Sequence, residues 1–170
     1  MRGRHLLPFL AGLGLATACG GGPGAAPAAA PRVVDDAGRA VGLARPARRV
    51  VSLIPAVTEW ILALGAADRL AARTTYDTQA ALAHLPAVGD GLTPSLEAIV
   101  ARAPDLVIAW PDARGRAVVA RLRALGVPVY AARVETVGDA ARTARRVGRL
   151  LGLAPRADSL AAALDSALAA

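Results

Sequence analysis

Five residues of this sequence have side-chain types that suit the binding of a ligand. Tyr76 and Trp110 offer wide apolar faces, and each carries a polar tip. Asp90 and Gly91 belong to a Gly-Asp-Gly turn, where backbone can approach a ligand closely because glycine has no side chain. Pro55 follows an apolar run, as Tyr76 and Trp110 do. We expect these five residues to contribute to one binding site.

Short apolar runs precede these residues and predict the β-strands that position them. The runs are 50–54, 70–75, 86–88, 105–109 and 127–131. Helical patterns separate the runs, and this alternation predicts βα units, a largely parallel sheet and an α/β fold of Rossmann-like type. Ligands of such open sheets bind outside the carboxyl ends of the strands. The sequence therefore predicts a site at that edge.

Structural roles remain as alternatives for the same side chains. Trp110 either lines a ligand site or covers the end of the sheet, and Pro111 directly after it turns the chain away. Tyr76 either binds ligand or packs at the edge. Trp60 falls on the apolar face of a predicted helix and is expected in the core. Arg133 follows the last run, where solvation is the plain interpretation.

Catalysis has little support in the sequence. No nucleophile elbow, phosphate-binding loop or His-Glu-x-x-His motif occurs, and Ser52 and Ser95 have no obvious base. The two histidines, His5 and His84, do not make a metal site. We expect no enzyme activity, resident metal or cofactor. The alternative, a small flavodoxin-like enzyme, needs a glycine-rich loop where residues 55–58 read Pro-Ala-Val-Thr.

The formal charge of +7 does not by itself predict nucleic-acid binding. Every basic residue is an arginine, and four of them fall in the predicted helix 114–125, which suggests a solvated helix face. No aromatic residues interleave with them, as base stacking requires. We expect no nucleic-acid partner.

The N-terminal part of the chain predicts export and membrane anchoring. Residues 1–19 combine two arginines, an apolar stretch too short to span a bilayer, and small residues before Cys19, which resembles a bacterial lipobox. We expect lipidation at Cys19; an idle thiol is the alternative. Residues 20–31 are rich in Gly, Ala and Pro and predict a flexible tether. Together these features predict an extracytoplasmic protein of the cell envelope.

The remaining sequence divides into a lobe and a helix. Residues 32–153 predict one α/β lobe that opens with a hairpin around residues 35–39. Residues 154–170 predict a helix with no stop signal, so we expect that helix to continue and the chain to be part of a longer protein.

Four segments carry motifs of high combined specificity. They are the hairpin at Asp35–Arg39, RVVSLIPAVTE at Arg49–Glu59, GLTPSLEAI at Gly91–Ile99 and APDLVIAW at Ala103–Trp110. Together they resemble the solute-binding proteins of ABC importers for cobalamin, iron–siderophore complexes and haem, most closely the cobalamin-binding members. The resemblance covers residues 32–170. It implies two α/β lobes joined by one long helix, of which this chain holds the first lobe and the start of the helix.

The resemblance also implies roles for single residues. Tyr76 and Trp110 match a tyrosine and a tryptophan that contact the corrinoid, and a second such tryptophan falls at Gly91. Glu97 matches a glutamate that docks on arginines of the permease; compensation of a helix dipole is its other interpretation. The main expectation is a monomeric lipoprotein that delivers a corrinoid, or else haem or another iron chelate, to an ABC permease. A one-lobed envelope protein that binds a partner is the rival.

Overall fold

The structure is a computed structural model that describes residues 30–113 and 115–169. The expected signal segment 1–19, the lipidation site Cys19 and nearly all of the expected tether lie outside the described residues. Within the described part of the chain, every helix is too short or too polar to cross a bilayer.

An antiparallel hairpin opens the described chain and confirms the expected hairpin. It pairs β1 (Arg32–Val34) with β2 (Ala40–Gly42). The carboxylate of Asp35 accepts hydrogen bonds from the amides of Ala37 and Arg39, at 3.0 and 2.7 Å. Gly38 completes the turn at a φ of 77°, a conformation that glycine adopts without strain.

Four parallel strands form the sheet of the lobe, which confirms the predicted α/β fold. They are β3 (Val50–Ser52), β4 (Leu70–Ala72), β5 (Leu106–Ala109) and β6 (Val129–Ala131). The strands lie in the order β4-β3-β5-β6. Every residue of β3, β5 and β6 is buried, as expected where helices cover both faces of a parallel sheet.

The expected strand at 86–88 is wrong, because the segment forms only one isolated bridge. Ala87 lies opposite Arg73, and the amide of Val88 donates to the Arg73 carbonyl oxygen at 2.9 Å. Pro86 has no amide hydrogen for a longer ladder. Gly89 follows Val88 and has a φ of 96°, so the chain turns at the C-terminal end of the segment. Only Arg73 and Ala87 therefore form a regular bridge, although the amide of Thr75 still donates to the carbonyl oxygen of Gly89 at 3.0 Å.

Five α-helices are described, with short 3-10 turns at Ala67–Arg69 and Ala80–Leu82. The α-helices are α1 (Pro55–Ala63), α2 (Leu96–Val100), α3 (Arg116–Ala124), α4 (Val137–Leu150) and α5 (Ala154–Ala169). Pro55 begins α1, because a first-turn residue needs no amide hydrogen and the fixed φ of proline suits that position.

Thr93 and Pro94, just before α2, have residue types that suit a helix start, but the helix begins after them. Ser95 is the capping residue, and its hydroxyl accepts from the amide of Ala98 at 3.1 Å. The Thr93 hydroxyl instead donates to the carboxylate of Asp90 at 2.7 Å. Thr93 therefore stabilises the turn before the helix, and Ser95 caps the helix itself.

Small residues allow α5 to pack closely along α4. A Cβ atom at Gly148 of α4 would collide with the side chain of Ala157, and Ala157 and Ala161 of α5 are fully buried. Arg145 of α4 also forms an ion pair with Asp165 of α5 at 2.8 Å. The helix that follows the lobe is thus fixed against it along its described length.

Candidate ligand-binding site

One open groove at the carboxyl edge of the sheet brings together four of the five expected ligand residues. Pro55, Tyr76, Gly91 and Trp110 all line it, and its volume is about 300 Å³. The other lining residues are Leu53, Leu92 and Asp112. We call this the aromatic groove. The prediction that these side chains share one edge is confirmed, because the parallel strands before them end on the same side of the sheet.

Trp110 forms a half-buried wall of the aromatic groove. It follows β5 directly and packs against the main hydrophobic core. Gly115, before α3, lets the backbone pass close by, since a Cβ atom there would lie 2.9 Å from the Cβ atom of Trp110. Trp110 therefore covers the core and lines the groove at once. Its contact with a ligand stays a prediction.

Gly91 has no room for a side chain, because the protein's own backbone lies against it. A Cβ atom at this position would collide with the carbonyl oxygen of Leu53, and it would lie 3.7 Å from Nε1 of Trp110. The sequence suggested that glycine here leaves space for a ligand. The structure shows that Gly91 first makes space for the backbone of Leu53, directly after β3.

A buried turn holds Tyr76 at the rim of the aromatic groove, where its side chain is 68% exposed. The amide and the hydroxyl of Thr74 both donate to Oδ2 of Asp77 at 2.7 Å. The Thr74 hydroxyl in turn accepts from the amide of Tyr76 at 3.3 Å. Thr74 and Asp77 are buried. An exposed aromatic side chain thus rests on a buried polar anchor.

A second turn presents Gly91 and Leu92. Oδ1 of Asp90 accepts from the amides of Leu92 and Thr93, at 2.7 and 2.6 Å. The hydroxyl of Thr93 donates to Oδ2, and this bond, followed by the two amide bonds, holds the pKa of Asp90 below its ordinary value. Asp90 is not among the residues that line the groove. Its contact with ligand stays a prediction.

Glu97 lies in the first turn of α2, outside the lining of the aromatic groove. It is exposed, and its carboxylate accepts from the hydroxyl of Ser95 at 3.2 Å. This position suits a surface contact more than a ligand contact, and its docking role stays a prediction.

Ser52 and His84, which were considered for catalysis and metal binding, are not among the residues that line the aromatic groove. Ser52 is buried, and its hydroxyl donates to the carbonyl oxygen of Ile54 at 3.0 Å. His84 is exposed. Across residues 30–113 and 115–169, no three His, Cys, Asp or Glu side chains converge as metal ligands would.

Sequence reasoning missed three residues of the aromatic groove, Leu53, Leu92 and Asp112. Leu92 is a large apolar side chain that is 37% exposed, directly after Gly91. Asp112 follows Trp110 and Pro111. Each lies within two residues of a predicted site residue, so position in the chain was the signal that could have found them.

Comparison with known proteins gives one consistent family. The sequence profile of a family described as periplasmic binding protein matches residues 50–170, more than half of the chain. The vitamin B12-binding protein of Vibrio cholerae is 36% identical over 97 residues, which are 56% of this chain and 35% of that protein. The protein of the same name from Yersinia pestis is 35% identical over 88 residues, 51% of this chain and 31% of its own length.

Solved structures give the same result. The periplasmic vitamin B12 binding protein BtuF of Vibrio cholerae matches with a TM-score of 0.65 at 30% identity, over 72% of this chain and 49% of its own. The periplasmic haem-binding protein RhuT of Roseiflexus sp. RS-1 matches with a TM-score of 0.65 at 30% identity, over 72% and 48% of the two chains. The haem-binding protein HmuT matches with a TM-score of 0.68 at 28% identity, over 81% and 46%.

The present chain therefore spans about a third of the length of the curated relatives and about half of the solved structures that it matches. The matched region contains the whole parallel sheet and the aromatic groove. The family profile covers more than half of the chain and the solved structures share its fold, so the chain belongs to the periplasmic binding protein family.

Proposed function

We propose that this chain is the first lobe of an extracytoplasmic solute-binding lipoprotein that captures a metal chelate for an ABC importer. A corrinoid is the first choice of ligand. The ligand lies with one face on the aromatic groove, and a second lobe outside this sequence covers the other face. Helix α5 is the start of the connection between the lobes. The lobe binds and releases its ligand, and it catalyses no reaction.

One observation carries this proposal. Tyr76, Gly91 and Trp110 come from three different connections of the chain and meet in one groove at the carboxyl edge of the sheet. Tryptophan and tyrosine faces suit a wide ring system, and their polar tips still find partners when they are covered. The similarity to proteins named for vitamin B12 binding supports a corrinoid as that ring system.

A haem or another iron chelate is the second candidate. The similarity to haem-binding proteins RhuT and HmuT favours it. Gly91 also favours it. The clash that a side chain at this position would make with the Leu53 carbonyl keeps that wall of the groove low, so a second aromatic side chain does not fit there.

Tryptophan fluorescence tests the ligand site. The chain has two tryptophans. Trp110 lines the groove, whereas Trp60 of α1 packs on the core and does not line it. Cyanocobalamin and haemin absorb near tryptophan emission, so a bound ligand should quench Trp110 strongly. Trp110→Phe should remove most of the quenching and weaken binding by about 1–3 kcal/mol, as expected for an aromatic residue in a desolvated contact.

Trp60→Phe is the matched control and should leave the quenching and the affinity unchanged. The titration is made on the full chain and on the two-lobed gene product, with correction for ligand absorbance. We expect the full chain to bind more weakly, because a single lobe covers only one face of the ligand. Parent-like binding and quenching by Trp110→Phe would contradict the proposed site.

Anchoring at Cys19 is part of the same proposal. The small residues before Cys19 and the Gly/Ala/Pro-rich segment after it support lipidation there. Labelled palmitate should enter the protein in a bacterial host. Cys19→Ser should release the protein from membranes, because the variant has no thiol to carry the acyl chains that anchor it. Unchanged membrane association of the variant would argue against this anchor.

Docking on the permease through Glu97 completes the proposal. Its exposed position outside the aromatic groove supports a contact with a protein partner. In the two-lobed protein, Glu97→Ala should leave ligand affinity unchanged and lower the rate of transport, since exposed charges mostly affect association and its salt dependence. A loss of ligand affinity would assign Glu97 to the ligand site instead.

A further inference from the structure

A second groove lies beside the aromatic groove, across the ends of β5 and β6. Its volume is about 360 Å³, and its walls include Asp36, Pro111, Arg116, Arg123, Ala131 and Arg133. We call it the arginine groove. Trp110 lines one groove and Pro111 lines the other, and Ala109 pairs with Ala131 in the sheet. Neighbouring strands are about 5 Å apart, and Trp110 and Arg133 follow the ends of two such strands.

Asp36, the acidic residue in the wall of the arginine groove, already accepts hydrogen bonds from other parts of the protein. Oδ1 of Asp36 accepts from the guanidinium of Arg146 at 2.6 Å and from that of Arg142 at 3.4 Å. Its Oδ2 accepts from the backbone amide of Arg133 at 2.8 Å. Asp36 therefore anchors the hairpin to α4 and to the end of β6, and its charge is compensated by these two arginines.

Two of the three arginine side chains in the groove have no such compensation. Arg123 forms an ion pair with Asp35 at 2.7 Å. Across residues 30–113 and 115–169, the guanidinium groups of Arg116 and Arg133 take part in no hydrogen bond or ion pair. They come from separate elements, α3 and the segment after β6, and converge on one concave surface. The groove is thus left with two positive charges and open donors.

We propose that the arginine groove binds an anionic oxygen group, a carboxylate or a phosphate, on the edge of the ligand whose ring face covers Trp110. This inference rests on the proposed function and adds the chemical class of ligand substituent that the site selects. Guanidinium groups suit it, because their planar donors match carboxylate and phosphate oxygens in paired hydrogen bonds. Arg116 and Arg133 are then specificity-determining residues.

Two ligand pairs identify the source of the anionic group. Haemin carries two carboxylates that are absent from its dimethyl ester. Cyanocobalamin carries a phosphate that is absent from dicyanocobinamide. Affinities of the four compounds are measured by calorimetry for the full chain and for the double variant Arg116→Gln/Arg133→Gln. Arg121→Gln is the matched control, because Arg121 is an exposed arginine of the same helix outside the groove.

The double variant should lose at least tenfold in affinity for the anionic member of one pair and less than twofold for its neutral member. The loss should shrink in high salt, because charge interactions at an open groove are screened. A loss with haemin assigns carboxylates, and a loss with cyanocobalamin assigns the phosphate. An equal loss for both members of each pair, or no loss at all, overturns the proposal. Arg121→Gln should bind like the parent.

A second measurement separates this inference from the proposed function. Citrate is titrated into arginine-labelled full chain, and the side-chain Nε–H signals are followed by NMR. Signals of Arg116 and Arg133 should shift together, and that of Arg121 should not. If these signals shift while none of the four compounds binds, the arginine groove is an anion site and the proposed function is wrong. If a compound binds while citrate leaves both signals in place, the arginine groove is overturned and the proposed function stands.

Discussion

Two turns at the rim of the aromatic groove use the same chemistry in opposite surroundings. In the turn 74–77, Thr74 precedes the aspartate by three residues and donates to it twice, and both residues are buried. In the turn 90–93, the threonine follows the aspartate by three residues, and Thr93 is exposed while Asp90 is half-buried. One turn carries Tyr76 and the other carries Gly91.

Because of this difference in burial, we expect the same hydrogen bonds to have unequal effects on stability. Donors that are buried have no water to replace a lost acceptor, so removal of the acceptor costs the full desolvation of each donor. Donors near the surface exchange protein for water with little loss. We therefore expect Tyr76 to stand on a rigid anchor and Gly91 to depend mainly on its packing against Leu53.

The largest expected effect comes from Asp77→Ala. It leaves the amide and the hydroxyl of Thr74 buried without an acceptor, and the free energy of unfolding should fall by about 2–4 kcal/mol. Urea denaturation measures the change. Asp77→Asn retains an acceptor oxygen and should cost less than about 1 kcal/mol. A cost for Asp77→Ala no larger than that for Asp77→Asn would contradict the anchor.

A smaller effect is expected from Gly91→Ala. The added Cβ atom meets the Leu53 carbonyl oxygen, so backbone must shift, at a cost of about 1–3 kcal/mol in stability. Haemin or cyanocobalamin affinity should fall as well, because Trp110 adjoins the same position. Gly138→Ala is the control, since it adds a methyl group near the start of α4 with no close contact under 3.8 Å. That variant should match or exceed the parent in stability.

The smallest effect is expected at Asp90, and it depends on pH. The folded-state pKa of Asp90 is lowered, so its contribution to stability is present above the ordinary aspartate pKa and is lost as pH falls through the folded value. The amide signals of Leu92 and Thr93 in NMR should therefore keep their positions until the pH lies below the ordinary aspartate range, which centres at about 3.9.

Thr93→Val tests the cause of that shift, because the Thr93 hydroxyl is its largest contributor. The variant should raise the pKa of Asp90 toward the ordinary value, while the melting temperature falls less than in Asp77→Ala. If Thr93→Val and Asp77→Ala lower the melting temperature equally, burial does not explain the difference between the two turns.

Much of the fold follows from local patterns in the sequence. The runs that end before Pro55, Tyr76 and Trp110 predict three of the strands and the edge on which those residues meet. The segment 86–88 has a similar apolar pattern but forms no strand, because Pro86 and Gly89 limit its pairing to one residue. An apolar pattern does not show whether a segment can form a continuous ladder of hydrogen bonds with a neighbouring strand.

The sequence by itself determined the α/β class and predicted that Tyr76 and Trp110 meet at the carboxyl edge of the sheet, where both line the aromatic groove. These depend on residue type and on short-range order, which a sequence contains directly. Only the tertiary structure decided why Gly91 is a glycine, why the turn of Thr74 and Asp77 is buried, and which arginines stay uncompensated. Leu53, Asp36 and the arginines of α4 are distant in sequence from the residues they constrain, and only folding brings them into contact.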